Sequence, residues 1–252
     1  MRLNFIEMGS GQPMVILHGL FGSLDNWKTL AKKFARHHRV FLVDQRNHGK
    51  SGHTDEHTYL AMSEDLLMFF NKHDLDNVIL VGHSMGGKTS MQFAIDNPER
   101  LSRVVVVDIG PQGYEVHHDK ILRSMQSLRL DSISSRREAE EELAKMIEEK
   151  DTRQFLLKNL YRRKDIVGRA RYAWRFNLEV IANDIEEVGI PIQGSSDLPF
   201  LFIRGNRSNY IPSDGLDSIR VQFPEAKLIS LDAGHWVHTE DPEGLFEAIV
   251  KG

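Results

Sequence analysis

Six consecutive residues, Gly82-His83-Ser84-Met85-Gly86-Gly87, carry the strongest chemical signal in the chain. The apolar run Asn77–Val81 leads into them, and the helix-patterned segment Gly86–Ile95 leads out. A serine hydroxyl becomes a useful nucleophile only when a base takes its proton. It must also stand clear of the backbone to meet a substrate carbonyl. A sharp strand-to-helix turn lifts the side chain out, and flanking glycines permit the close backbone approach. The helix N-terminus then offers free N–H groups and a positive dipole end where an oxyanion develops. The bare spacing G-x-S-x-G arises by chance in about one chain in ten at this length. Its position between strand and helix therefore carries the inference, against a Gly-rich turn holding an incidental serine.

A base has to be chosen among 12 histidines. His235 lies in Asp232-Ala233-Gly234-His235-Trp236, after the run Leu228–Leu231 and before the closing helix Pro242–Val250. In α/β hydrolases the order along the chain is serine, acid, histidine, which His235 satisfies. His238 is the competing base, three residues on and expected to face away. His83 is pinned beside Ser84. His18 precedes a Gly-rich turn and reads as structural, while His37, His38, His53, His57, His73, His117 and His118 read as surface or lid positions.

The acid is less obvious. Its usual place follows the run Phe200–Ile203, but Asn209 stands there, and an amide cannot balance an imidazolium. One strand earlier, Val104-Val105-Val106-Val107 ends in Asp108-Ile109-Gly110-Pro111. A carboxylate at the end of a buried strand needs a partner, and the His235 ring is the natural one. Asp108 is the expected acid; Asp214, another nearby carboxylate, or no acid at all are the alternatives. For the oxyanion, His18-Gly19-Leu20-Phe21-Gly22 offers the N–H of Leu20 beside that of Met85.

These residues need a scaffold that brings distant stretches together. Short β-rich runs recur at Met14–Leu17, Val40–Val43, Val78–Val81, Val104–Val107, Phe200–Ile203 and Leu228–Leu231. Helix-patterned segments Trp27–Ala35, Tyr59–Asn71, Gly86–Ile95 and Pro242–Val250 separate or follow them. Such alternation predicts an α/β fold with a mostly parallel sheet and helices on both faces, with residues 2–8 as an antiparallel edge strand. The pattern breaks between residues 113 and 196. Predicted helices Asp119–Leu128, Arg136–Glu149, Arg153–Leu160 and Tyr172–Glu186 make this a helical cap inserted into a core of residues 1–112 and 197–252.

Several function classes drop out on composition. The 252 residues suit one α/β domain, and 32 basic against 36 acidic residues give a net charge of -4, which does not suggest nucleic acid. With no cysteine, disulfides, thiolate metal sites and a Cys nucleophile are excluded. The start of the chain lacks a leader pattern, and no apolar run nears the ~20 residues of a membrane span. A cytoplasmic enzyme without metal or cofactor is the expectation, with a homodimer left open. His pairs such as His117-His118 fit no metal-ligand motif.

Residues 18–27 (HGLFGSLDNW), 46–51 (RNHGKS), 82–88 (GHSMGGK), 108–111 (DIGP), 174–178 (WRFNL) and 234–238 (GHWVH) together resemble the YbfF-type esterases. These are small bacterial α/β hydrolases related to the mitochondrial abhydrolase-domain proteins. The resemblance implies an acid placed after the strand that follows the nucleophile helix, favouring Asp108 over Asn209. It also implies hydrolysis of simple acyl esters and acyl-CoA thioesters. It is weakest between residues 113 and 170, where substrate choice would be decided.

The apolar side chains Phe21, Trp174 and Trp236 are candidate walls of an acyl pocket, with cap packing as the plainer reading. Arg175 ends a basic stretch, Arg162, Arg163, Lys164, Arg169, Arg171 and Arg175, suited to acyl-CoA phosphates or simply to a solvated face. The turn Asp44–Ser51 reads as structural, with Arg46 or His48 as pocket-lining alternatives. A carbon–carbon bond hydrolase or lyase with the same triad, and a non-enzymatic binding protein, are the competing functions.

Overall fold

The computed structural model describes residues 1–116, 118–164, 170–212 and 214–252. Arg169, within the basic stretch, and His117 lie outside them. Strands β1 (Phe5–Met8), β2 (Gln12–Leu17), β3 (His38–Val43), β4 (Val78–His83) and β5 (Leu101–Val107) form the first part of the sheet. Helices α1 (Lys28–Phe34), α2 (Tyr59–Lys72) and α3 (Met85–Asp96) connect or flank them.

An insertion follows, built from α4 (Asp119–Ser127), α5 (Arg136–Ala144), α6 (Lys150–Leu157), β6 (Leu160–Lys164), β7 (Ala170–Trp174), α7 (Leu178–Asn183) and α8 (Ile185–Gly189). The core resumes with β8 (Phe200–Gly205), α9 (Gly215–Arg220), β9 (Lys227–Leu231), α10 (Val237–Glu240) and α11 (Pro242–Lys251). The seven-stranded sheet runs β1-β3-β2-β4-β5-β8-β9, and β1 is its antiparallel edge.

Alternation along the central strands explains the two covered faces. Val78 and Leu80 of β4, with Val104 and Val106 of β5, share a core with Tyr59, Met62, Leu66 and Phe70 of α2. Ile79, Val81, Val105 and Val107 face the other way, onto Leu30 and Phe34 of α1 and Leu245 and Ile249 of α11. Both faces are apolar, so these strands read as continuous hydrophobic runs. Capping marks the helix starts. Thr58 accepts from the Ala61 N–H at 3.3 Å, and Asp241 accepts from Gly244 ahead of a helix that opens on Pro242.

The insertion departs from the all-helical expectation. Leu160 pairs with Trp174, and Arg162 with Tyr172, in an antiparallel hairpin. The stretch 172–174, predicted as helix, is therefore strand, and the predicted Arg136–Glu149 helix stops at Ala144. Arg, Lys and Ala are good helix formers, so local propensity points the wrong way. Cross-strand contacts decide instead: the Arg162 guanidinium lies over the Tyr172 ring at 5.2 Å.

A buried lysine joins α3 to the end of the insertion. Lys88 is fully buried; its Nζ donates to the Ile190 carbonyl and lies 4.9 Å from the Tyr114 ring and 5.8 Å from that of Tyr59. Burial lowers its pKa from 10.5 to about 8. Below pH 8 the lysine is charged in both folded and unfolded chains, and the desolvation cost is fully present. Between pH 8 and 10.5 the folded chain sheds the proton first, so stability rises with pH. Urea unfolding at pH 7.5, 9 and 10.5 should show wild type gaining stability relative to Lys88→Met across that window.

Candidate active site

The serine stands where β4 turns into α3. Ser84 has φ 53° and ψ -119°, a conformation strained for a non-glycine residue and sustained only by its surroundings. Its N–H donates to the Val107 carbonyl at 3.0 Å, and its carbonyl accepts from the Gly87 N–H at 2.8 Å. The loop after β2 presses against this turn. A Cβ on Gly86 would come within 2.7 Å of the His18 carbonyl, and one on Gly19 within 3.2 Å of the Ser84 Cβ. Small residues on both sides are therefore required for the contact.

Asp108 and His235, 127 residues apart in the chain, come into contact here: Asp108 Oδ2 accepts from His235 Nδ1 at 2.8 Å. The residue is held at two further points. Tyr210 packs on it with ring centroids 4.3 Å apart, and the His235 carbonyl accepts from His83 Nε2 at 2.8 Å. His83 is the residue before Ser84, so that last bond ties the histidine loop to the serine turn. The loop after β8 contributes no acid, but the end of β8 and that loop each supply a donor. The Gly205 N–H reaches Asp108 Oδ1 at 2.8 Å, and Ser208 Oγ donates to Oδ2. Asn209 and Asp214 are both exposed. An imidazole backed by a buried carboxylate can take up a hydroxyl proton and later return it, and this ring lies 4.8 Å from that of His83, the residue before Ser84.

The remaining histidines have other tasks. His238 is buried, stacks on Trp27 at 5.0 Å, and burial, followed by the nearby His235, lowers its pKa to about 3. His18 donates through Nδ1 to the Gly19 carbonyl at 2.8 Å and accepts the Gln45 N–H at Nε2. His48 donates to the Arg46 carbonyl and accepts the Phe21 N–H at 3.1 Å. His57, expected at the surface, is buried, with its pKa lowered to about 3 by desolvation first and by Arg46 second. Arg46, within the Asp44–Ser51 turn, pairs with the buried Asp65 at 2.7 Å.

The oxyanion candidates differ in how they are presented. Met85 opens α3, so no intrahelical carbonyl reaches its N–H. The Gly19 carbonyl is held by His18 Nδ1 and by the Gly22 N–H at 2.9 Å. In a planar trans peptide the Leu20 N–H points opposite to that carbonyl. The next N–H, that of Phe21, is taken by His48. Leu20 is thus the loop's remaining donor of this pair.

Phe21, Phe176 and Trp174 form one aromatic row, with centroids 5.3 Å and 5.2 Å apart, and Trp236 lies 5.3 Å from Phe155. Arg175 is placed elsewhere. Its guanidinium lies over the Tyr161 ring at 4.8 Å, and it lines a cavity of about 360 Å³ with Lys28, Lys50, Asp25 and Asp44. Ser208 and the Phe21-holding role of His48 carried no sequence signal: one hydroxyl in a loop, and one histidine whose partner is a backbone amide. Among the described residues no cluster of His, Cys, Asp and Glu has the makings of a metal site, and no helix is long and apolar enough to cross a membrane.

Comparison with known proteins shows the family to which this fold belongs. Residues 12–242 match the alpha/beta hydrolase fold family. The chain is 34% identical to esterase YbfF of Escherichia coli over 96% of its length and 93% of that protein. It is 37% identical to the sn-1-specific diacylglycerol lipase ABHD11 of Danio rerio, covering 98% of this chain and 80% of that one. The solved structure of a marine microorganism esterase superposes with a TM-score of 0.94 at 36% identity, over 99% and 98% of the two chains. The chain belongs to the α/β-hydrolase family and is of the YbfF type within it.

Replacing the acid tests its placement. Asp108→Asn should slow fluorophosphonate labelling of Ser84 by a factor on the order of 10⁴. Adding Asn209→Asp should not restore the rate, because that side chain faces solvent.

Proposed function

We propose that this chain is a serine-dependent carboxylic-ester hydrolase working through an acyl-enzyme on Ser84. The observation that carries the reading is the carboxylate–imidazole pair of Asp108 and His235, bonded at 2.8 Å and tied by His83 to the strained serine turn. His235 takes the Ser84 proton as the hydroxyl attacks the ester carbonyl. The N–H groups of Leu20 and Met85 hold the oxyanion, and the imidazolium returns the proton to the leaving alcohol. Water then repeats the sequence on the acyl-enzyme.

Phe21, Trp174 and Trp236 suit an apolar acyl chain of short to medium length, with residues 113–196 acting as the lid. The names of the esterase and lipase relatives favour esters over carbon–carbon bonds as the substrate class. Acyl-CoA thioesters are a further substrate class for the same chemistry, resting on the basic stretch. Within it Arg162 is engaged by the Tyr172 hydroxyl and the Ser134 carbonyl, and Arg163 is exposed.

Turnover of p-nitrophenyl esters from acetate to octanoate should peak at short to medium chains. Ser84→Ala should abolish both turnover and fluorophosphonate labelling; turnover surviving that change rejects the serine mechanism. Charge reversal at Arg162, Arg163 and Arg169 should raise KM for an acyl-CoA while sparing the neutral ester. Equal effects on both substrates would reject thioester recognition.

A further inference from the structure

The loop after β2 is held peptide by peptide. The Gly19 carbonyl is fixed by His18, the Phe21 N–H by His48, and the Phe21 carbonyl by Asn159 Nδ2 at 2.7 Å. The first two holders come from the core. Asn159 comes from the insertion, between α6 and β6, 138 residues along the chain. It is buried and firmly seated itself. Its N–H donates to the Leu156 carbonyl at 3.0 Å, and its carbonyl accepts from the Arg175 N–H at 2.9 Å.

Phe21 has φ 57°, in the left-handed region that a phenylalanine rarely adopts and that external contacts must hold. Release of its carbonyl would let the loop relax toward an ordinary backbone conformation. The Phe21 carbonyl shares its peptide with the Gly22 N–H, which donates to the Gly19 carbonyl at 2.9 Å, so a turn of that peptide loosens the hold on Gly19–Leu20 and re-aims the Leu20 N–H.

We propose that Asn159 is a positioning residue through which the insertion sets the oxyanion loop. Its side-chain amide holds Phe21 in the strained conformation that keeps the Leu20 N–H directed at the reacting carbonyl oxygen. This role rests on the reading of Ser84 as an ester-hydrolysing nucleophile. The insertion, besides covering the substrate, then completes the transition-state site.

The loss on removing this contact falls on kcat more than on KM, because an oxyanion contact strengthens as the tetrahedral species forms. Asn159→Leu keeps the size and removes the donor. On p-nitrophenyl butyrate it should lower kcat by about 10- to 100-fold with KM changed less than roughly threefold, as for a small misplacement of a reacting group. Asn159→Asp is the sharper variant. A carboxyl donates to the Phe21 carbonyl only when protonated, so its kcat relative to wild type should fall as pH rises from 5 to 9. Taking the ratio removes the pH dependence shared with wild type, in which His48 and His118 likewise lie against Phe21. A purely structural asparagine would give a ratio independent of pH.

Thermal unfolding of each variant separates lost fold from lost aim. A flat ratio, or wild-type kcat in Asn159→Leu, would overturn the positioning role while leaving the esterase reading intact. Absence of Ser84-dependent turnover in the wild-type chain would overturn both.

Discussion

Asp108 is a carboxylate with no solvent exposure at the end of a central strand. An ion in such a place costs several kcal/mol unless donors surround it. Here one donor comes from the end of β8, one from the loop beyond it and one from the His235 ring. Strand order makes this convergence a consequence of topology. β4, β5, β8 and β9 lie side by side, so Ser84, Asp108, Gly205 and His235 follow one another across the carboxyl edge of the sheet. That edge is where parallel α/β sheets bind their ligands. A single buried charge thus fixes the β8 loop, the histidine loop and, through His83, the serine turn.

The sheet and this edge were largely legible in the sequence because both depend on strong local patterns. Runs such as Val104–Val107 have no polar residue with which to face water, so only a strand covered on both faces suits them. The serine turn was legible because glycines on both sides of a serine, between strand and helix, serve to crowd the backbone and push one side chain outward. Asp108 was legible by elimination: Asn209 lacks the charge, and a carboxylate ending a buried strand demands a partner. The structure adds that Asp108 bonds the His235 ring, while the end of β8 donates a backbone N–H to it and the loop beyond donates the Ser208 hydroxyl.

The insertion was legible only in outline. Its paired strands, LYRRK and ARYAW, mix helix-favouring Arg, Lys and Ala with strand-favouring Tyr and Trp, and their register depends on cross-strand pairs that a single sequence does not display. Contacts made by side chains to a distant backbone were also hidden. Asn159 and His48 bind the carbonyl and N–H of Phe21, and no residue type at position 21 advertises such partners. His57 was misjudged for a related reason. A histidine in a polar stretch reads as exposed, yet it packs 5.5 Å from the His48 ring beneath the insertion.

These histidines share a constraint that bears on the chemistry. His48 works as an acceptor at Nε2 because its other nitrogen donates to the Arg46 carbonyl, which fixes the neutral tautomer. A second proton would turn that acceptor into a donor facing the Phe21 N–H. Burial, together with His18 and His57 close by, lowers its pKa well below 6.5 and keeps the ring neutral. His18, His57, His83 and His238 are lowered by burial in the same way. An unfolded chain takes up protons on all five below about pH 6.5, while the folded chain refuses them, so stability drains away as pH falls. His235 differs in kind: part of its ring is open to solvent and its Nδ1 faces a carboxylate. In the mechanism proposed above His235 is the proton carrier among these rings, and the neutrality of His48 keeps the loop after β2 in shape.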